Sequence, residues 1–138
     1  MPENEACFID SNIWLYAFTD DDPHKKAVAQ ALITTSQPII SVQVINEVCV
    51  NLIRQANFPE AQISELIETF YEKYDVIELH KGLLLSASQL RQEHAISYWD
   101  SIIVAAALVS DVKRLYSEDM QHGLLIRETL QIINPFKM

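Results

Sequence analysis

Four carboxylates in this sequence have the residue type and the surroundings for divalent-metal chemistry: Asp10, Glu47, Asp100 and Asp119. Asp10 closes the apolar run Ala6-Cys7-Phe8-Ile9. Glu47 lies between Ile45 and Val48, Asp100 precedes Ile102-Ile103-Val104, and Asp119 follows Leu115-Tyr116-Ser117-Glu118. Carboxylates brought together repel one another unless protonated or neutralised, and a divalent cation is the usual neutraliser. Hard oxygen donors suit magnesium or manganese, which retain waters and bridge to phosphate oxygens. Two such ions about 3.5 to 4 Å apart activate a water and stabilise the leaving oxygen of an in-line displacement. The chemistry implied is phosphodiester hydrolysis.

Whether these acids meet depends on the elements that carry them. Ala6 to Ile9 is a short continuous apolar run, the mark of a buried strand, and a helical stretch follows through Trp14, Leu15 and Phe18. Asp20-Asp21-Asp22-Pro23 breaks the chain and opens a second helix running to about Ile33. Pro38-Ile39-Ile40 is a second strand. Ser41 caps the helix beyond it, whose apolar positions Val44, Ile45, Val48, Cys49 and Leu52 recur at helical spacing. Pro59 starts a further helix, Asp75 to Leu79 is a third strand, and Leu83 to about Glu93 is helical. Ser97 begins a last helix through Ile102, Ile103, Ala106 and Leu108. Arg114 to Ser117 and Gln131 to Asn134 are the fourth and fifth strands. Strands alternating with helices predict an α/β fold, a central parallel sheet of about five strands covered on both faces.

In such a fold the helices run antiparallel to the strands, so helix N-termini lie at the carboxyl edge of the sheet. Asp10 ends the first strand at that edge, and Glu47 sits in the second turn of a helix starting there. Asp100 lies in the first turn of another such helix, and Asp119 lies just past the fourth strand. The four acids therefore converge on one rim. Open α/β sheets bind ligands there, where the strand order reverses.

The bulk numbers agree with one domain spanning residues 1–138: 138 residues, 49% hydrophobic, and only two glycines. The longest apolar run, Ile102 to Val109, is far too short for a bilayer crossing. The acidic start Met1-Pro2-Glu3-Asn4-Glu5 lacks a secretory pattern, so the expected address is the cytoplasm and no membrane is expected as a partner. Cys7 and Cys49 are expected to be small core residues rather than a disulfide or zinc pair. The net charge of -9, with ten Lys and Arg, counts against a nucleic-acid enzyme unless several acids are gathered around cations.

The motifs in order resemble one known family. Phe8-Ile9-Asp10-Ser11-Asn12-Ile13 is similar to the opening motif of PIN domains, an apolar strand followed by D-S/T-N. Ser41 to Val48 resembles their second motif, a serine and then a helix-borne glutamate. Tyr98 to Ala107 resembles the third and Leu115 to Gly123 the fourth, S/T-x-D. Ile132-Ile133-Asn134-Pro135-Phe136 is similar to a common family ending. The resemblance implies a PIN-like three-layer sandwich and a metal-dependent endoribonuclease, most similar to the VapC-like toxins of bacterial toxin–antitoxin pairs. It implies Asp10, Glu47, Asp100 and Asp119 as catalytic ligands of Mg2+ or Mn2+, with Asn12 and Ser117 as supporting polar residues. An RNA substrate and an inhibiting antitoxin are the partners it implies.

Plainer readings stand beside these. Ser97-Tyr98-Trp99-Asp100 fits a capping box, and Asp10-Ser11-Asn12 fits a turn and helix cap. Glu47 on a helix would ordinarily be solvated. Glu118 is expected to be the solvated member of the Glu118-Asp119 pair, His122 to be structural, and Asp20-Asp21-Asp22 to be a solvated helix entry. Arg54 is expected at the surface. Leu83-Leu84-Leu85 offers more apolar surface than one sheet face covers, which predicts a homodimer. The alternative functions are a PIN-like module binding RNA or protein without cutting it, a housekeeping RNA-processing nuclease, and a phosphohydrolase with an aspartyl nucleophile. The last usually needs an acid two residues on, where this chain has Asn12.

Overall fold

The computed structural model describes residues 4–137. Met1 to Glu3, part of the acidic start, lie outside the described residues.

All five expected strands form, and they are parallel neighbours in one sheet. They are β1 (Ala6–Ile9), β2 (Gln37–Ser41), β3 (Asp75–Ile77), β4 (Arg114–Tyr116) and β6 (Leu130–Ile133). A sixth strand, β5 (Leu125–Ile126), adds to these five and runs antiparallel to β6 at the sheet edge. Its two residues are too few for a periodic signal. The turn that returns it is closed by Thr129 N–H donating to the Ile126 carbonyl at 3.1 Å, with Arg127 and Glu128 both at positive φ. That geometry ordinarily selects Asn-Gly or Asp-Gly, so an Arg-Glu pair gives no hairpin signal.

The order β3-β2-β1-β4-β6-β5 is set by two excursions from β1. The chain first moves outward through α1 (Ser11–Phe18) and α2 (Pro23–Thr35) to β2, then through α3 (Val42–Ala56) and α4 (Glu60–Lys73) to β3. It then returns across β1 through α5 (Lys81–Glu93) and α6 (Tyr98–Val109) to β4. Right-handed crossovers in opposite directions place helices on opposite faces. The packing follows: α1 lies on α2 and α3, α3 lies on α4, and α5 lies on α6. The direction reverses between β1 and β4, which opens the ligand crevice at their carboxyl ends.

Side-chain caps fix where several of the helices start. Ser41 accepts from Val44 N–H at 3.3 Å, Asp22 from Lys25 N–H at 3.0 Å, and Ser97 from Asp100 N–H at 3.1 Å. Helix α5 is capped by the Nδ1 of His80, which accepts from Leu83 N–H at 3.3 Å. It starts two residues before the expected Leu83, because histidine is not among the usual cap residues. In α6 every residue from Ser101 to Ala107 is buried, and the alanines let the helix lie close to its neighbours. On the other face Trp14 anchors the core, its ring edge-on to Phe70 at 5.3 Å and its indole N–H donating to the Ile9 carbonyl at 3.1 Å. Cys7 and Cys49 are free and buried, as expected. Among the described residues no helix is long and apolar enough to cross a membrane.

Candidate active site

The site begins where β1 and β4 stop. Ile9 and Tyr116 are the last paired residues, and Asp10 N–H still donates to the Tyr116 carbonyl at 2.9 Å. The next side chains on the two strands therefore stand side by side. The Ser117 hydroxyl donates to Asp10 Oδ2 at 2.7 Å. The other oxygen, Oδ1, accepts the Ser11 N–H at 2.7 Å, so Asp10 also caps α1. The cap reading of Asp10 holds.

Ser11 carries the contact onward to α3. Its hydroxyl is 2.8 Å from Glu47 Oε1 and 3.4 Å from Asp10 Oδ1. A hydroxyl has one proton, and the shorter contact takes it. Gln43, one helical turn before Glu47, donates to Glu47 Oε2 at 2.9 Å. Glu47 is thus half-buried and held at both oxygens rather than solvated. Asn12 reaches the other way: its Nδ2 donates to Asp119 Oδ2 at 2.9 Å and its Oδ1 accepts the Glu118 N–H at 3.3 Å. One tripeptide, Asp10-Ser11-Asn12, therefore touches the 117–119 loop and α3.

Asp100 is brought in electrostatically. It sits half-buried in the first turn of α6, its own N–H bonded to Ser97, so the capping reading of Ser97 also holds. Burial pushes the Asp100 carboxyl up, the charges of Glu47 and Asp119 add to the rise, and Ser97 partly offsets it. Asp10 is 3% exposed, and burial pushes it up to about 7; Ser117 and Ser11 pull it down, while Glu47 and Asp100 push it further up. Asp10 and Asp100 therefore both feel the charge of Glu47, and Asp100 also feels that of Asp119. Asp119 is the exposed member, at the mouth of a groove of about 730 Å³ lined in part by Tyr16, Asn51 and Phe58.

The expectation for Glu118 is corrected. It is not the solvated partner of Asp119: its carboxylate accepts from the Tyr16 hydroxyl at 2.6 Å and forms an ion pair with Lys25. Lys25 in turn lies 5.0 Å from the Tyr16 ring centroid and 5.1 Å from that of Phe136. This assembly ties the 117–119 loop to α1, α2 and the C-terminal segment. The Lys25–Glu118 pair is 93 positions apart and carries no local sequence signal. Gln43 does have one, since residues four apart share a helix face. Ser11 stood inside the first motif without an assigned role. Elsewhere the plain readings hold. His122 Nδ1 accepts the Asn134 N–H at 2.9 Å, Asp22 caps α2, Asp20 pairs with Lys26, and Arg54 is exposed.

Among the described residues no three Asp, Glu, His or Cys side chains already stand as a cage for an ion. The donor chemistry nevertheless fits a hard divalent cation. The set is all carboxylate; burial raises Asp10 and Asp100, and the neighbouring acids' charge that adds to the rise is what a cation would relieve. Each carboxylate oxygen can accept more than one contact, so the bonds to Ser117, Ser11, Gln43 and Asn12 orient the acids without exhausting them.

The chain belongs to the PIN-domain family, whose model matches residues 7–123. Solved structures of similar fold include a toxin–antitoxin complex from Klebsiella pneumoniae, with 18% identity, a TM-score of 0.69, and 94% of this chain and 97% of that chain covered. Another is VapC20 from Mycobacterium tuberculosis, described as a sarcin-ricin loop cleaving toxin: 19% identity, TM-score 0.67, coverage 82% and 89%. A third is FitAcB from Neisseria gonorrhoeae, at 13% identity, TM-score 0.65, coverage 96% and 99%. A comparison with curated protein sequences gives no significant match.

Proposed function

We propose that this chain is a magnesium- or manganese-dependent endoribonuclease acting in the cytoplasm, the toxin of a toxin–antitoxin pair. The observation that carries the reading is the placement of Asp10, Glu47, Asp100 and Asp119 at one sheet edge, with Asp10 pushed up to about 7 by burial and, to a smaller extent, by the charges of Glu47 and Asp100. A buried acid with this perturbation, beside other acids at the crevice of the sheet, supports a functional reading over a structural one. Bound divalent ions would supply an activated water and neutralise charge on the phosphate. Asp10 and Glu47 would hold them from below, with Asp100 and Asp119 closer to solvent. Ser117, Ser11 and Gln43 keep the two inner carboxylates aimed, and Asn12 ties Asp119 to the same tripeptide. Placing charged groups in advance lowers the reorganisation needed when the phosphate charge shifts.

The toxin assignment draws on the neighbours described as a toxin–antitoxin complex and as a toxin, and it brings a cognate antitoxin as partner. We also propose a homodimer. Of the leucine run, Leu83 is buried in the core while Leu84 and Leu85 stand exposed on α5, a surface a second copy would cover. Sedimentation at micromolar concentration showing a monomer would remove the dimer.

The test of the activity is cleavage of structured RNA by the native chain with Mg2+ or Mn2+, with EDTA, and by Asp119→Asn. Cleavage lost with EDTA and reduced at least a thousandfold in the variant supports the reading. Equal rates in the variant would refute it.

A further inference from the structure

Two large aromatic side chains stand in water beside the acidic cluster. Tyr98 is 52% exposed and Trp99 58% exposed, and Trp99 is the immediate chain neighbour of Asp100. Their rings pack edge to face at 5.1 Å. Arg91 on α5 lays its guanidinium 4.3 Å from the Tyr98 ring centroid and is pinned by donating to the buried Ser101 hydroxyl at 2.7 Å. A cation is thus fixed beside two exposed rings at the rim of a site otherwise made of acids.

Nothing in the fold requires these rings. The buried face of α6 starts at Ser101, and the core on this side is filled by Leu83, Ala87, Leu90 and Ile103. Arg91 against the Tyr98 ring and the flanking residues Ser97 and Asp100 are polar, so polar groups border the rings. Two rings with an adjoining guanidinium match one or two nucleobases and the phosphate between them.

We propose that Tyr98 and Trp99, braced by Arg91, form a stacking platform for unpaired bases of the RNA strand whose phosphate reaches Asp100. The proposal rests on the ribonuclease reading for the identity of the ligand. It also answers the charge problem. A chain with 19 acids and ten Lys and Arg cannot rely on a basic footprint to hold RNA. Stacking needs no net positive charge and tolerates salt. Bases in a duplex are already stacked, so the platform selects single-stranded loops and ends.

The chain's two tryptophans make the test direct. Trp14 is 1% exposed and serves as a shielded reference, whereas Trp99 is open to solvent and to acrylamide. The measurement titrates the full-length Asp10→Asn chain with a short single-stranded RNA and with a duplex of the same sequence. It follows tryptophan emission together with the anisotropy of a label on the RNA. The expected result is quenching and protection of the Trp99 component by the single strand and not by the duplex. Trp99→Ala should weaken single-strand binding about tenfold, equally at low and high salt, and Trp99→Phe should recover most of it. Single-strand binding by anisotropy with Trp99 emission unchanged overturns the platform. So does a Trp99 blue shift that follows protein concentration without RNA and resists competition by RNA, because the rings would then face a second copy.

The platform and the activity fail separately. Native chain that cuts RNA while Trp99→Ala cuts with unchanged KM refutes the platform alone. Native chain that cuts nothing while the single strand still quenches Trp99 refutes the catalytic reading alone. No binding by either chain refutes both.

Discussion

Ser117 donates its hydroxyl proton to Asp10 Oδ2 at 2.7 Å, joining the ends of two adjacent parallel strands that lie 107 positions apart in the chain. The same hydroxyl accepts the Met120 N–H at 3.3 Å, so it orders the loop bearing Asp119 while it aims Asp10. Ser117→Ala removes both contacts in a fully buried place. It should destabilise the chain by about 1 to 3 kcal/mol in urea unfolding and reduce RNA cleavage, and Ser117→Thr, which keeps the hydroxyl, should recover much of both.

Asp10 makes stability depend on pH in a direction opposite to that of an ion-paired carboxylate. Its folded value of about 7 lies above the ordinary value of about 3.9 for an unfolded aspartate. Between those two values the folded chain holds a proton that the unfolded chain has lost. Stability from this group therefore falls as pH rises from about 4 to about 7, is fully lost above 7, and is unaffected below 4. Metal-free Asp10→Asn should be more stable than native at pH 8, by an amount on the order of a few kcal/mol, and the gap should shrink at pH 5. Thermal unfolding of both proteins in EDTA across that range measures it. A gap that widens on acidification would contradict the burial of Asp10 as a protonated acid.

The Lys25–Glu118 pair is partly exposed at both ends, so its direct worth to stability is small. Its effect should appear in catalysis, because Glu118 anchors the residue beside Asp119 to Tyr16, Lys25 and Phe136. Lys25→Met should lower kcat about tenfold to a hundredfold with little change in melting temperature. Exchanging the two charges, Lys25→Glu with Glu118→Lys, should recover part of the loss, a rescue that a merely local packing effect would not give.

Ser11→Ala separates Glu47 from Asp10 without disturbing the cap of α1, since the backbone N–H of residue 11 makes that bond. Manganese affinity should fall about tenfold to a hundredfold, the usual consequence of losing a residue that orients a ligand. Unchanged affinity would show that Gln43 alone suffices to place Glu47.

Much of this geometry was legible in the sequence because it follows from where strands and helices end. Asp10 terminates an apolar run, Asp100 opens a helix capped by Ser97, and a parallel fold sends both to one edge whatever the loops do. What the sequence concealed is of another kind. Arg127-Glu128 adopts a left-handed turn without glycine or asparagine, so β5 was invisible. Glu118 was expected in solvent because the family pattern gives the site position to Asp119, and its partner Lys25 is remote in sequence. Ser11 has a small polar side chain whose role depends on which of two acids takes its only proton, and that is decided by distances the motif does not contain.

The most direct test is calorimetric titration of manganese into the native chain and into Asp10→Asn, at pH 6, in two buffers of different ionisation enthalpy. A cation binding among these acids should displace the proton held by Asp10, so native protein should bind with release of about one proton per ion at the inner position. Asp10→Asn should bind far more weakly and release none. Heat and proton release that are the same in both proteins, or no binding to the native chain, would contradict the metal-centred site.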